Sequence, residues 1–361
     1  MSIVGLSTGC FTGHHQAIEG SGVRFVELSS HRPAAMPEIA LGLERERTKV
    51  VSVHSPCPGR GPSVDLAADG HDWDATAAAI EDTMSTAAQF DARYVVIHAF
   101  YCLPAQLPVD DIARMDELRR LFPNGGDIRQ YVKSSEYAEA QARATGNLKS
   151  LLPRLKARYP RQRIVLENLN PRLGYGGIHL DHVLAVAAEF GGDVGICLDI
   201  GHLALAESAL REEMDLAVER ARELIWTTHI HQNFGGRHAL ERFWFEEKPH
   251  DPPLQEIDTH LPLLSRFQVL EQIEQPRLGS DNSAFERTFE GYAIYAKKGA
   301  ADEHPVAPLT VDVARLLRHV PSTANRILEL DSRFSPLAEI LEEYDMASRG
   351  VHPAPLWGNG R

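Results

Sequence analysis

Eight short apolar runs, separated by segments of helical periodicity or by long connections, constrain this chain more than any other feature. They are Ile3 to Thr8, Arg24 to Leu28, Lys49 to His54, Tyr94 to His98, Arg163 to Glu167, Val194 to Asp199, Ile225 to His231 and Arg326 to Leu330. A short run with little polar alternation reads as a strand buried on both faces, the habit of parallel sheets. Among the intervening segments, Leu148, Leu151, Leu152 and Leu155 fall on one helical face, and so do Leu210, Met214, Ala217 and Ala221. Strand alternating with helix implies parallel pairing through right-handed crossovers. Eight such units closed on themselves make an α/β fold of the (β/α)8 TIM-barrel kind. An open doubly wound sheet would announce itself with a glycine-rich phosphate turn after the first strand. GLSTGCFTG lacks that spacing, and no Walker-type lysine motif occurs.

A single barrel domain over residues 1–361 accounts for the length if it carries two insertions, about 101–131 after the fourth strand and about 232–301 after the seventh. Long loops of this kind serve as lids or binding loops, or as contacts in a homo-oligomer. A helix is predicted from Thr310 to His319, and the tail from Val351 reads as an extended end. Hydrophobic residues make up 43% of the chain, ample for a sizeable core. The formal charge of −13, with no block of Lys and Arg to track a phosphate backbone, argues against nucleic acid as a partner. No run of 18 apolar residues exists, and the N-terminus lacks a basic region followed by a hydrophobic stretch, so no membrane association and a cytoplasmic location are expected. Cys10, Cys57, Cys102 and Cys197 form no C-x-x-C pair and read as reduced thiols.

The polar residues that close the strands form a pattern of their own. Glu27, His54, His98 and Glu167 end the second to fifth strands; Asp199 and His202 follow the sixth, His229 and His231 the seventh, and Glu329 the eighth. Each alone reads as a satisfied core group. Together they put carboxylates and imidazoles at the carboxyl end of one barrel, the end where barrel chemistry takes place. So many ionisable groups facing one cavity repel each other, or cost too much to desolvate, unless a cation holds them together. Carboxylate and imidazole donors suit Mn²⁺ first, with Zn²⁺ or Co²⁺ as alternatives. Within a strand, residues two apart face the same side, so spacing does not choose between His229 and His231. Phe11, Phe100, Phe234 and Trp244 are candidates either for packing on a sugar face or for ordinary core.

In the order ENL (Glu167), LDIGH (Asp199, His202), HIH (His229, His231) and LEL (Glu329), the chain resembles the xylose isomerase-like barrel superfamily, which takes in sugar isomerases, ketose 3-epimerases and endonuclease IV. In the ketose 3-epimerase branch, the resemblance implies that Glu167, Asp199, His231 and Glu329 bind one divalent metal, with His202 and Arg237 holding the substrate. In the endonuclease IV branch, it implies a metal cluster in which His54, His98, His202 and His229 take part. An Asp-x-His would complete that cluster, either Asp258 with His260 or Asp302 with His304. With a single metal, His54 and His98 would instead bind substrate hydroxyls.

The function so implied is a metal-dependent isomerase or epimerase of a small sugar, ketose or sugar derivative, with Glu167 and Glu329 as the catalytic acid and base. Its alternative is a metal-dependent phosphoester hydrolase related to endonuclease IV, against which the acidic balance weighs. A barrel that has lost catalysis and only binds a metal or a sugar is the remaining class.

Overall fold

A computed structural model describes residues 3–11, 14–59, 64–102, 128–171, 174–210, 212–231, 311–330 and 337–350. Its strands are β1 (Val4–Ser7), β2 (Phe25–Leu28), β3 (Lys49–His54), β4 (Tyr94–His98), β5 (Arg163–Glu167), β6 (Val194–Asp199), β7 (Ile225–Ile230) and β8 (Asn325–Leu328). They form a closed barrel in chain order, and every neighbouring pair is parallel. Closure runs through Val4, Gly5 and Leu6 of β1 against Arg326, Ile327 and Leu328 of β8. Four strands have the bounds read from the sequence. The others differ by a residue or two at their ends, because pairing with a neighbour, and not apolar content, decides where a ladder stops. β8 begins at Asn325, which pairs with Thr227, and ends at Leu328 instead of Leu330. Just beyond it, the Glu329 amide still donates to the Ile230 carbonyl at 3.1 Å.

The described helices are α1 (Met36–Glu46), α2 (Gly70–Gln89), α3 (Ile128–Tyr131), α4 (Ser135–Arg158), α5 (Leu180–Ala188), α6 (Ile200–Leu210), α7 (Asp215–Ala221), α8 (Val313–Leu317) and α9 (Leu337–Ser348). α4 buries the leucine face formed by Leu148, Leu151, Leu152 and Leu155, and Ser134 caps its start by accepting the Tyr137 amide at 3.2 Å. The second apolar face is corrected. Leu210, Met214, Ala217 and Ala221 are all buried, but the helix breaks between α6 and α7. Glu207 makes the break possible by accepting the freed Met214 amide at 2.9 Å. The helix foreseen over Thr310 to His319 is shorter, α8 alone, and starts where Asp312 caps the Arg315 amide at 2.9 Å.

Two apolar layers result. The large one lies between the sheet and its helices. A small one fills the barrel interior with Val96, Val165 and Cys197 against Tyr94 and Trp226. Gly195 lets the Trp226 ring lie flat on the β6 backbone, where a Cβ would collide with it. The barrel interior is thus filled with apolar side chains below the strand-end residues. Residues 232–301 and most of 101–131 lie outside the described residues, as does the tail from Val351. Among the described residues, no helix is long and apolar enough to cross a membrane.

Candidate functional site

Glu167 stands at the end of β5 with its side chain 1% exposed, and both its oxygens meet imidazoles. Its Oε2 lies 2.9 Å from His54 Nε2 on β3 and 3.7 Å from His98 Nε2 on β4. Its Oε1 lies 3.1 Å from His229 Nδ1 on β7. That same His229 nitrogen is 3.1 Å from Glu329 Oε2, just past β8, and 3.8 Å from Asp199 Oδ2 at the end of β6. One ring nitrogen therefore faces three carboxylates supplied by three strand ends. The ring's other nitrogen, Nε2, is 3.0 Å from Glu27 Oε1 on β2, and Ser52 on β3 holds Glu27 from the far side by donating to Oε2 at 2.7 Å.

A second set of contacts orients Asp199. Asn168 clasps its backbone: the Asp199 amide donates to Asn168 Oδ1 at 2.8 Å, and Asn168 Nδ2 donates to the Asp199 carbonyl at 3.0 Å. Asp199 Oδ1 accepts the His202 amide at 2.7 Å and lies 3.1 Å from His231 Nε2. His202 Nδ1 donates to the Asn168 carbonyl at 2.9 Å, which fixes the imidazole's orientation. His98 Nδ1 is in contact with the Tyr101 hydroxyl.

Burial alone would lower the pKa of His54, but the hydrogen bond to Glu167, together with the charges of Glu167, Glu27 and Glu329, raises it to about 9. His229 likewise is disfavoured as a cation by burial, yet the carboxylates around it hold its pKa well above the usual imidazole range. Burial pushes Glu167 up, and the His229 and His54 imidazoles more than reverse that, keeping it a carboxylate. His98 goes the other way, to about 4: burial outweighs Glu167, which lies 3.7 Å away, and the His54 and His202 imidazoles oppose a further charge. In the metal-free protein, protons on His54 and His229 thus balance charges that a cation would otherwise balance.

The donor set fits a divalent cation. Glu167, Asp199, His229 and Glu329 each offer one ligand atom, all within 4.8 Å of one another. Ligands about 2.0–2.2 Å from a shared ion sit about 3–4 Å apart. Among the described residues, Asp199 Oδ2 is buried with no hydrogen-bond partner, a costly condition that a cation would relieve. The carboxylate Glu27 behind His229 Nε2 is the outer partner that a metal-binding imidazole commonly has. Two further groupings meet the same distance criterion, His54 with Glu167 and His229, and Asp199 with His202 and His231.

The structure brings together His54, His98, Glu167, Asp199, His202, His229, His231 and Glu329, and adds Glu27 as a support. The four-residue group expected around His231 closes instead with His229. His231 lies one step beyond the end of β7, higher in the mouth, and reaches Asp199 Oδ1 from above. Of the two alternatives for the aromatic candidates, Phe11 and Phe100 take ordinary core: both are fully buried in it. Arg237, Asp258, His260, Asp302, His304, Phe234 and Trp244 lie outside the described residues. Three supporting residues escaped the sequence reading, namely Asn168, Ser52 and Tyr101. Asn168 stood inside the ENL motif, and a polar amide directly after a strand-end carboxylate was the signal available; Tyr101 and Ser52 gave none.

A parallel eight-stranded barrel with ionisable side chains gathered at its carboxyl mouth defines the class, a TIM barrel. The chain belongs to the xylose isomerase-like TIM barrel family, whose model matches residues 16–264. Among solved structures, a D-tagatose 3-epimerase-like protein superposes with a TM-score of 0.50 at 17% identity, covering 96% of this chain and 98% of that one. A D-psicose 3-epimerase superposes with a TM-score of 0.51 at 12% identity over 99% and 100%. A 3-keto-D-glucoside 4-epimerase from E. coli gives 0.50 at 13% over 97% and 100%. At these identities the likeness speaks for the fold alone. No curated protein matches the sequence at a significant level.

Proposed function

We propose that this protein is a divalent-metal-dependent isomerase or epimerase of a small sugar or sugar derivative, with Glu167 and Glu329 transferring the proton. The observation that carries this reading is the convergence of Glu167, Asp199 and Glu329 on His229 Nδ1, since two of these carboxylates come from strands on different sides of the mouth. Glu167, Asp199, His229 and Glu329 would hold the cation. When bound, it supplies Lewis-acid stabilisation of the negative charge that develops on substrate oxygen when a neighbouring carbon loses its proton.

The chain's own residues do the rest. Glu167 is held between His54 and His229, which positions its carboxylate in advance. Glu329, 21% exposed where Glu167 is 1% exposed, faces the mouth more openly. One removes the proton and the other returns it; return to the opposite face gives epimerisation, and return to the adjacent carbon gives isomerisation. His98, neutral at physiological pH and oriented by Tyr101, is suited to hydrogen-bond a substrate hydroxyl rather than to carry charge. His202 takes a similar role, Arg237 is proposed to join them, and His54 would reach a hydroxyl only once a bound cation draws Glu167 away from it. The mouth is apolar below and lined with buried polar groups above, so water would be displaced when a polyol enters.

The reading is tested by following solvent deuterium into the carbon-bound positions of a panel of ketoses and sugar acids with Mn²⁺-loaded protein. Exchange by wild type, with a loss of at least a hundredfold in Glu167→Gln and in Glu329→Gln, is the expected result. Exchange with no member of the panel, or full exchange by both variants, would overturn it. Cleavage of an abasic-site duplex by the same preparation would establish the phosphoester hydrolase in its place.

A further inference from the structure

We infer that Ser29, seated on Ser7, is a specificity-determining residue that donates its hydroxyl hydrogen to an uncharged oxygen of the substrate on the Glu329 side of the mouth. The inference deepens the reading above and rests on it for the choice of a sugar as ligand.

The placement follows from register. Ser7 closes β1 opposite Glu27 on β2, and residues in register on neighbouring parallel strands face the same side of the sheet. Glu27 reaches His229 inside the barrel, so Ser7 faces inside as well. Where β1 meets β8, Leu6 pairs with Leu328, and one step further along both chains stand Ser7 and Glu329. Ser29 lies two residues past Glu27, just beyond β2, and its Oγ is 2.6 Å from Ser7 Oγ. The serine pair thus completes the mouth between Glu27 and Glu329, where the other strands supply imidazoles and carboxylates.

Counting hydrogen bonds gives the pair its polarity. A hydroxyl offers one hydrogen and two lone pairs. Ser7 is 1% exposed, so its hydrogen has to be satisfied within the protein, and Ser29 Oγ is the acceptor in reach. Ser29 Oγ also accepts the Gly9 amide at 3.0 Å, an amide that Ser7 Oγ shares at 3.3 Å. Both lone pairs of Ser29 Oγ are then taken, and its own hydrogen has no acceptor among the described residues. Ser29 is partly exposed, so a group placed against it has to be an acceptor.

The position is firmly built. The Ser29 amide donates to Thr8 Oγ1 at 2.9 Å, and Thr8 Oγ1 lies 2.7 Å from His31 Nε2, with Thr8 and His31 both buried. A Cβ on Gly9 would come within 3.2 Å of Ser29 Oγ and 3.4 Å of Ser7 Oγ, so glycine leaves the pair its room. Burial, reinforced by His15, lowers the His31 pKa to about 4, and this anchor therefore brings no positive charge at neutral pH. With Glu27 and Glu329 on the flanking strands, a phosphate or carboxylate is disfavoured there and a sugar hydroxyl or carbonyl oxygen is preferred.

The test is calorimetric binding of D-fructose and of its monodeoxy derivatives to protein supplied with Mn²⁺. Ser29→Ala should weaken D-fructose about three- to tenfold, the effect of one neutral hydrogen bond, and Ser7→Ala should weaken it less, because Ser29 keeps its hydrogen. One deoxy derivative should bind wild type as weakly as D-fructose binds Ser29→Ala, and should be indifferent to that substitution. Unchanged affinity in Ser29→Ala, or an equal loss for every derivative as a merely structural serine would give, would overturn the inference and leave the proposed function standing. Wild type that binds no member of the series would count against the proposed function. In that event, or should the variants fail to fold, wild-type crystals soaked in xylitol decide: a xylitol oxygen within about 3 Å of Ser29 Oγ upholds the donor site, and xylitol bound elsewhere or not at all overturns it.

Discussion

At the scale of single residues, His54 carries the clearest pH consequence. Its Nδ1 donates to the Ser55 carbonyl at 3.0 Å and its Nε2 meets Glu167 at 2.9 Å, so in the metal-free protein both nitrogens face acceptors and the ring is an imidazolium. Its folded pKa, about 9, lies above the unfolded value of 6.5. The stability this contributes is therefore fully present below pH 6.5 and is lost as the pH rises through about 9. A cation competing for Glu167 must displace that proton. The apparent Mn²⁺ affinity of metal-free protein should rise with pH, by up to about tenfold per unit for each proton displaced, and the His54 share of that rise should end above about 9. Calorimetric titration across that range checks it, and in His54→Gln this part of the dependence should vanish. Asn168 gives a second residue-scale prediction. Its two buried hydrogen bonds to the Asp199 backbone make Asn168→Ala destabilising by about 2–3 kcal/mol, read from the denaturant midpoint. Metal affinity should fall as well, since Asp199 loses its clasp.

Among the elements, β3, β4, β5 and β6 were legible to the residue because each is an apolar run bounded by charged or polar residues, and the strand-end carboxylates and imidazoles followed from them. The break between α6 and α7 was not legible. Its apolar spacing continues through Leu210, Met214, Ala217 and Ala221, and what ends the helix is a side chain, Glu207, capping an amide seven residues on. Nor was the approach of His229 to three carboxylates, which depends on where its ring sits relative to the end of the ladder. Arg315 at the start of α8 ties these elements together, reaching Glu207 on α6 and Asp215 at the start of α7, with His319 also 3.2 Å from Asp215. A lone exposed pair contributes little, but a half-buried Arg shared by two carboxylates forms a network. Arg315→Ala should cost about 1–2 kcal/mol in a urea titration, with the loss reduced at high salt. Glu207→Gln should cost less, because its amide oxygen still accepts the Met214 amide.

For the whole molecule, the formal charge of −13 and the concentration of buried carboxylates at one mouth describe the same preference: this barrel attracts cations and repels polyanions. The proposed chemistry requires Glu167, Asp199, His229 and Glu329 to hold a divalent ion at the carboxyl ends of the strands. The most direct measurement is an anomalous difference map from wild-type crystals grown metal-free and soaked in Mn²⁺. A peak is expected that is bonded to one oxygen of each of the three carboxylates and to His229 Nδ1, with Glu27 remaining behind His229 Nε2. No peak among these four side chains at saturating Mn²⁺, or a peak bonded to His231 with His229 left on the carboxylates through its own proton, would contradict it.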